Sequence, residues 1–214
     1  HGAVQHGDRV PRHALAGDRP VMFRSAALLG LLLVIGCATA YPPRPTLAGL
    51  PAFHQVDEGF FRGGQPSPEG MQQLARMGIN TIVNLRHRSR AMDEEQRQAQ
   101  QLGMRWVNLP IRVWWWPTTA QATQFMAIAG DPAQRPVFIH CRQGRNRVGV
   151  MTAIYRVTIY GWSPQHAYAE GCRLGLVPWN IVTRYVIARL AKQCAGRVPP
   201  PLQDTTRSDG ITHG

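Results

Sequence analysis

The chain has 214 residues, 44% of them apolar, which is enough for one domain with a full core and too apolar for a disordered chain. Its formal charge is +12 and almost wholly arginine, Lys192 being the single lysine. That balance suits phosphorylated substrates, an anionic membrane or nucleic acid, but no Arg/Lys run interleaved with aromatics occurs, which argues against a nucleic-acid partner.

Residues 1–21 carry no periodic pattern and are expected to form an upstream segment outside the fold. From Met22 the chain reads "MFRSAALLGLLLVIGCATA": a short basic start at Arg24, an apolar run from Ala26 to Ile35, then small residues. Residues 22–36 are therefore expected to be a secretory signal, too short for a stable membrane-spanning helix. Its end, Val34-Ile35-Gly36-Cys37, resembles the lipobox of bacterial lipoproteins, which implies acylation at Cys37. An ordinary signal peptide or an uncleaved apolar anchor is the alternative. Ala38 after the cysteine implies outer-membrane sorting, with the protein on the periplasmic face of the envelope. Residues 1–36 hold four arginines and two aspartates, so the remainder keeps a net charge of +10.

Residues 37–52, with the Pro-rich "YPPRPTLAGLP", read as lipid anchor and tether. The domain is expected over residues 53–195. "FHQV" and "FFRG" are strand-like runs around the turn Asp57-Glu58-Gly59. Ser67-Pro68-Glu69 starts a helix that stops at Gly78. "NTIVNL" reads as a buried strand, "MDEEQRQAQQLG" as a polar-faced helix with acids at its front, and "MRWVNL" as the next strand. The loop "PIRVWWWPTT" leads into a helix from Ala120 to Ala129, and "PVFIH" is an apolar strand of the kind buried on both faces. Three helices follow, Arg147 to about Tyr160, Ser163 to about Cys172, and Pro178 to about Cys194. A disordered tail is expected over residues 196–214. Strands alternating with helices predict an α/β fold with a central, mostly parallel sheet flanked by helices.

Four cysteines are present, and one has a distinctive setting. Six residues after Cys37, Cys172 and Cys194 stand Pro43, Pro178 and Pro200, whereas Cys141 has Arg147 and lies between a buried strand and a buried helix. A strand ending at His140 and a helix starting near Arg147 leave about six residues to curl, and Gly144 permits the positive φ such a loop needs. Main-chain amides turned inward at a helix N-terminus make an anion nest that favours a thiolate and fits a tetrahedral phosphate. Arg147 supplies two parallel donors to phosphate oxygens as charge spreads in the transition state. No Gly-Lys-Ser/Thr follows, which excludes a nucleotide P-loop. Cys172 and Cys194 read as a disulfide in an oxidising compartment or as two buried thiols. No cysteine pair has zinc spacing, so no metal or cofactor is expected.

The run His140-Cys141-Arg142-Gln143-Gly144-Arg145-Asn146-Arg147-Val148-Gly149 resembles the signature of cysteine-dependent phosphatases of the protein-tyrosine/dual-specificity superfamily. "FFRGGQPSPEGMQQLARMGINTIVNLR" and "YRVTIYGWSPQHAYAE" resemble flanking segments of its compact bacterial, fungal and plant dual-specificity-like branch. The resemblance implies hydrolysis of phosphate monoesters through a phosphocysteine. Cys141 and Arg147 would be catalytic, Arg142, Gln143, Gly144, Arg145 and Asn146 would line the phosphate site with Arg147, and His140 would stand behind the nucleophile. Two departures stand out. Val148 replaces the usual Ser or Thr after the arginine, and "PIRVWWWPTT" lacks the aspartate that serves as general acid. Asp131 should lie at the wrong end of its strand, and Asn146 replaces an Asp found in bacterial relatives, so Asp57 or Glu58 would have to fold over the site. Otherwise the leaving group needs little protonation. Arg142 and Arg145 favour a polyanionic substrate, either a phosphorylated protein or an inositol (pyro)phosphate. One of Trp114, Trp115 and Trp116 is expected at the pocket. Arg86 is expected at its mouth or paired with Glu94 or Glu95. A catalytically impaired phosphate-binding module is the alternative of another class.

Overall fold

The computed structural model describes residues 47–112, 116–177 and 180–195. The upstream segment, the signal, Cys37, most of the tether, Trp114, Trp115 and the tail lie outside these residues. The hairpin β1 (His54–Asp57) and β2 (Phe60–Gly63) opens the fold, followed by α1 (Pro68–Arg76), β3 (Thr81–Asn84), α2 (Arg90–Gln101) and β4 (Arg105–Asn108). Then come α3 (Thr119–Gly130), β5 (Val137–His140), α4 (Asn146–Tyr160), α5 (Pro164–Arg173) and α6 (Asn180–Cys194).

The boundaries follow local chemistry. Ser67 caps α1 through its hydroxyl on the Gly70 amide, with Pro68 in the first turn where its missing N–H costs nothing. Thr118 and Gln121 form a reciprocal capping box on α3, and Gly161 in the left-handed region ends α4.

The sheet order is β1-β2-β5-β3-β4, with only β1 antiparallel. Side chains from β3 and β5 are buried on both faces, as a helix-covered parallel sheet requires. One face packs Ile82 and Phe138 against Met71 and Leu74 of α1 and Ala99 of α2. The other packs Val83 and Ile139 against Phe125 of α3, Met151 and Ile154 of α4, and Ile187 of α6. The helices that follow the adjacent strands β3 and β5 thus leave to opposite faces. A crevice opens between the carboxyl ends of such strands, the usual ligand position in an open α/β sheet.

The two acids proposed to close over Cys141 are not there. Strand β2 runs parallel to β5 with Phe60 beside Val137 and Gly63 beside His140, so the β1–β2 turn sits at the amino edge of the sheet. Cys141 lies four residues beyond Val137, roughly 13 Å away along the strand at ~3.3 Å per residue. Asp57 is occupied at that far edge: its carboxylate accepts from the Tyr155 hydroxyl at 2.6 Å, the Tyr160 hydroxyl at 2.9 Å, Arg135 Nη2 at 2.5 Å and the Gly59 amide at 2.9 Å. Glu58 is exposed in the same turn. Asp131 ends α3 and bonds Gln134 ahead of β5, at the amino edge as expected. Burial and the Asp57 carboxylate push the Tyr160 hydroxyl up to about 12.

Asp57 therefore acts in stability. Asp57→Asn should lower unfolding stability by about 3 kcal/mol, because Arg135 is left half-buried beside a neutral amide. The alkaline limb of any phosphatase pH profile should stay unmoved in the folded variant; chemical denaturation and a rate profile check both.

Candidate active site

Strand β5 ends at His140, and Cys141 opens the loop to α4 with 3% exposure, facing the larger core cluster. The loop carbonyls are bonded outward. The Arg142 carbonyl accepts from the Gln65 amide at 3.2 Å, and the Gly144 carbonyl accepts from Arg62 Nη2 at 2.9 Å. A planar trans peptide directs its N–H opposite to its C=O, so the amides of Gln143 and Arg145 point the other way. Arg62 is 1% exposed, a buried strand arginine that braces this loop. Gly144 has φ +67°, and a Cβ there would lie 2.5 Å from the Gly63 carbonyl carbon, so both conformation and close approach demand glycine.

Arg147, in the first turn of α4, crosses the crevice to the ends of β3 and β4. Its Nη1 donates to the Leu85 carbonyl at 3.0 Å and the Ile111 carbonyl at 3.4 Å. Both bonds use one nitrogen, so the fork is fixed without a carboxylate neutralising it. Arg142, Gln143 and Asn146 are exposed and Arg145 is half-buried on the same short loop. Asn146 does not turn inward: its Oδ1 accepts from the Val177 amide at 2.9 Å and ties the α5–α6 connection to the rim. Val148 is fully buried in the core.

His140 lies on the opposite face, stacked on Phe138, with Nε2 3.0 Å from Glu95 Oε1. The same carboxylate accepts from Asn84 Nδ2 at 2.8 Å, Trp106 Nε1 at 2.6 Å and Gln65 Nε2. Gln65 in turn accepts from Arg86 Nη1 at 2.7 Å through its own Oε1. Arg86 therefore stands near the mouth on an amide, not on Glu94 or Glu95; Glu94 pairs with Arg97. Burial pushes the Glu95 carboxyl up, but the His140 charge and the bonds from His140, Trp106 and Asn84 outweigh it and bring it down to about 2. The sequence offers Glu95 only as a possible partner of Arg86, not as part of the site. The available signal was an acid on the buried stripe of α2 between Met92 and Ala99. Trp116 is half-buried and packs on the core. No disulfide joins Cys141, Cys172 or Cys194 among the described residues; Cys172 is half-buried and Cys194 is buried beside Thr123.

A cysteine at a strand end, a loop with its carbonyls turned away and an arginine braced across the crevice define the class of protein-tyrosine/dual-specificity-like phosphatases. The chain belongs to the family described as DSP-PTPase phosphatase fused to NAD+ kinase, whose model matches residues 51–174. Dual specificity protein phosphatase TpbA of Pseudomonas aeruginosa strain UCBPP-PA14 is 27% identical over 158 residues, 70% of each chain. Probable NAD kinase 2, chloroplastic, of Oryza sativa subsp. japonica is 32% identical over 106 residues, 48% of this chain and 11% of that one, so the match spans only about a tenth of that relative. Among solved structures, the core catalytic domain of the PP-IP phosphatase Siw14 from S. cerevisiae shares the fold at TM-score 0.60 and 18% identity, covering 73% of this chain and all of that one. The crystal structure of P. aeruginosa TpbA does so at 0.57 and 18%, covering 74% and 98%.

Gly144→Ala should reduce phosphatase turnover about 100-fold, since the loop must move off Gly63 and a displacement near 1 Å costs that much. The variant should stay folded by circular dichroism. Because the folded-state value of Glu95 is depressed, its contribution to stability is full above the ordinary value of 4.5 and is lost as pH falls toward about 2. Denaturant titrations across that window should show a shallower decline in Glu95→Gln.

Proposed function

We propose that this chain is a cysteine-dependent phosphatase of the tyrosine/dual-specificity type. The observation that carries the reading is the loop from Cys141 to Arg147, its carbonyls bonded to Arg62 and Gln65 and its arginine braced on Leu85 and Ile111. In the first step the Cys141 thiolate attacks phosphorus, the bond from phosphorus to the leaving oxygen breaks, and loop amides with the Arg147 fork hold the equatorial oxygens. In the second, water attacks the phosphocysteine and releases inorganic phosphate, regenerating the thiolate.

The chain's departures shape the substrate. The loop Pro110–Thr119 contains no carboxylate, and Asp57 and Glu58 lie at the far edge. The leaving oxygen must therefore depart with little help, which suits aryl phosphates and phosphoanhydrides over serine phosphate. The name of the TpbA relative favours phosphoprotein. The exposed Arg142, with Arg145 and Arg86 nearby, favours a polyanion, and the Siw14 neighbour's description as a PP-IP phosphatase points to inositol pyrophosphates as the second substrate reading. The lipobox-like Val34–Cys37 supports a place on the periplasmic face of the envelope through lipid on Cys37.

With p-nitrophenyl phosphate, whose leaving group needs no acid, the chain should turn over, and Cys141→Ser should abolish turnover. Phosphate binding without turnover would indicate a binding module instead. A phosphotyrosine peptide should exceed its phosphoserine counterpart by on the order of 10² in kcat/KM, the factor typical of a missing acid. Rapid mixing should show a burst of one equivalent of p-nitrophenol, because Val148 offers no hydroxyl to the sulfur as phosphocysteine hydrolyses.

A further inference from the structure

The loops that leave the carboxyl ends of β2, β3, β4 and β5 span residues 64–67, 85–89, 109–118 and 141–145. They hold Arg86, Arg88, Arg112, Arg142 and Arg145 and no Asp or Glu. Arg88 is paired with Asp93 at the front of α2. Arg86 is held in place without being neutralised. Its amide donates to Asn84 Oδ1 at 2.7 Å, and its carbonyl accepts from Asn108 Nδ2 at 2.8 Å. Its Nη1 donates to Gln65 Oε1 at 2.7 Å. Gln65 is itself pinned through its main-chain amide to the Arg142 carbonyl and through Nε2 to Glu95. The half-buried Arg86 is therefore oriented by a neutral amide, and its Nε and Nη2 make no hydrogen bond among the described residues. Arg112 is exposed, and no Asp or Glu pairs with it or with Arg86 among the described residues. Both residues adjoin Arg147. The Leu85 and Ile111 carbonyls that accept from its Nη1 belong to the peptides leading into Arg86 and Arg112, at the ends of the neighbouring strands β3 and β4.

We propose that Arg86 and Arg112 form a second anion subsite at the mouth of the crevice, which receives the departing phosphate of a diphosphate-bearing substrate and offsets its charge in place of a general acid. The inference rests on the cysteine-phosphatase reading above and names the leaving group that site takes. In-line transfer places the leaving oxygen opposite the attacking sulfur. Cys141 is 3% exposed, whereas Arg86 is half-buried and Arg112 exposed, so the two arginines stand on the outward side, where that oxygen departs. As the bond from sulfur to phosphorus forms, the bridging bond from phosphorus to oxygen breaks, and its electron pair leaves on the second phosphate. These loops carry no carboxylic acid to give a proton, so the charge is met by the fixed donors they do supply. A planar guanidinium fork matches two oxygens of one phosphate. A tyrosine phosphate offers a single phenolate oxygen on departure, and its peptide chain is held off by the length of the ring. Two arginines this near Arg147 therefore suit a compact polyanion.

The probes are inorganic pyrophosphate and orthophosphate, titrated by calorimetry at fixed ionic strength into the full chain carrying Cys141→Ser, which cannot turn them over. Pyrophosphate should bind about tenfold more tightly, the worth of one charge-assisted contact. Adding Arg86→Gln, or the exposed Arg112→Gln, should bring the two affinities closer together. Arg76→Gln removes the same charge from the end of α1, at the amino edge of the sheet, and should leave their ratio unchanged. With Cys141 restored, Arg86→Gln should lower kcat/KM for pyrophosphate about tenfold more than for p-nitrophenyl phosphate. Equal affinities, a ratio that neither mouth variant lowers, or equal losses on the two substrates would overturn the proposal. So would a matching drop in Arg76→Gln, which would assign the preference to bulk charge. An acid-flanked phosphotyrosine peptide that weakens in Arg86→Gln while pyrophosphate does not would assign the arginines to a peptide and equally overturn it. Should the unaltered chain fail to hydrolyse p-nitrophenyl phosphate, the phosphatase reading falls, and the calorimetric ratio still decides the subsite.

Discussion

The structure depends on turning a short stretch of main chain inside out. Peptides at the end of a buried strand have carbonyls that ordinarily want donors from a neighbour in the ladder. Here two of those carbonyls, on Arg142 and Gly144, are taken by groups from the β2 side, the Gln65 amide and the buried Arg62 guanidinium. Once they are satisfied outward, the N–H groups of the same peptides face the crevice and add their positive potential to that of the Arg147 guanidinium. The sheet order makes this feasible. With β2 on one side of β5 and β3 on the other, the loop has Arg62 and Gly63 at its back and the Leu85 carbonyl across the gap.

Around that loop, the elements with strong local signals were legible in the sequence. The hydroxyl cap at Ser67, glycines after helices and short apolar strands give element types and approximate limits, whereas the Thr118 capping box, ahead of the expected start at Ala120, is seen only in the structure. The family resemblance located Cys141 and Arg147 by pattern. Direction was not legible. Nothing in "QVDEGFF" says which edge of the sheet its turn occupies; that follows from β2 pairing parallel to β5, a contact some eighty residues away in sequence. The sequence thus leaves open that Asp57 or Glu58 folds over the site as the alternative to an undemanding leaving group, whereas both stand at the other edge. Glu95 was hidden for a related reason: in a helix front rich in acids, Asp93-Glu94-Glu95, only the facing of the helix distinguishes a solvated carboxylate from a buried one. Arg62 reads locally as an ordinary strand cation, and only the tertiary fold reveals the carbonyl it serves.

The chemistry that remains is asymmetric. The groups that bind an anion and stabilise its charge are held at several points, whereas the groups that usually move protons around the phosphate are missing or replaced. Val148 fills core where a hydroxyl would face sulfur, and Asn146 anchors the chain at Val177 instead of presenting an acid. On the proposed phosphatase reading, such a site holds a dianion and leaves the departure of products to the substrate's own chemistry.

Helix α4 is secured at both ends. At its amino end Arg147 braces on the Leu85 and Ile111 carbonyls beside the candidate site. Toward its carboxyl end, Tyr155 and Tyr160 grip Asp57, which Arg135 locks to the run just ahead of β5. Over fifteen residues, about 22 Å of helix, this works as a guy rope, fixing the axial position of the whole rod relative to the strand that carries the thiol. Lengthening or shortening the α4–α5 connection beyond Gly161 should thus be tolerated at the pocket, whereas inserting a single residue between Arg147 and Tyr155 would rotate every contact downstream and set the two anchors against each other.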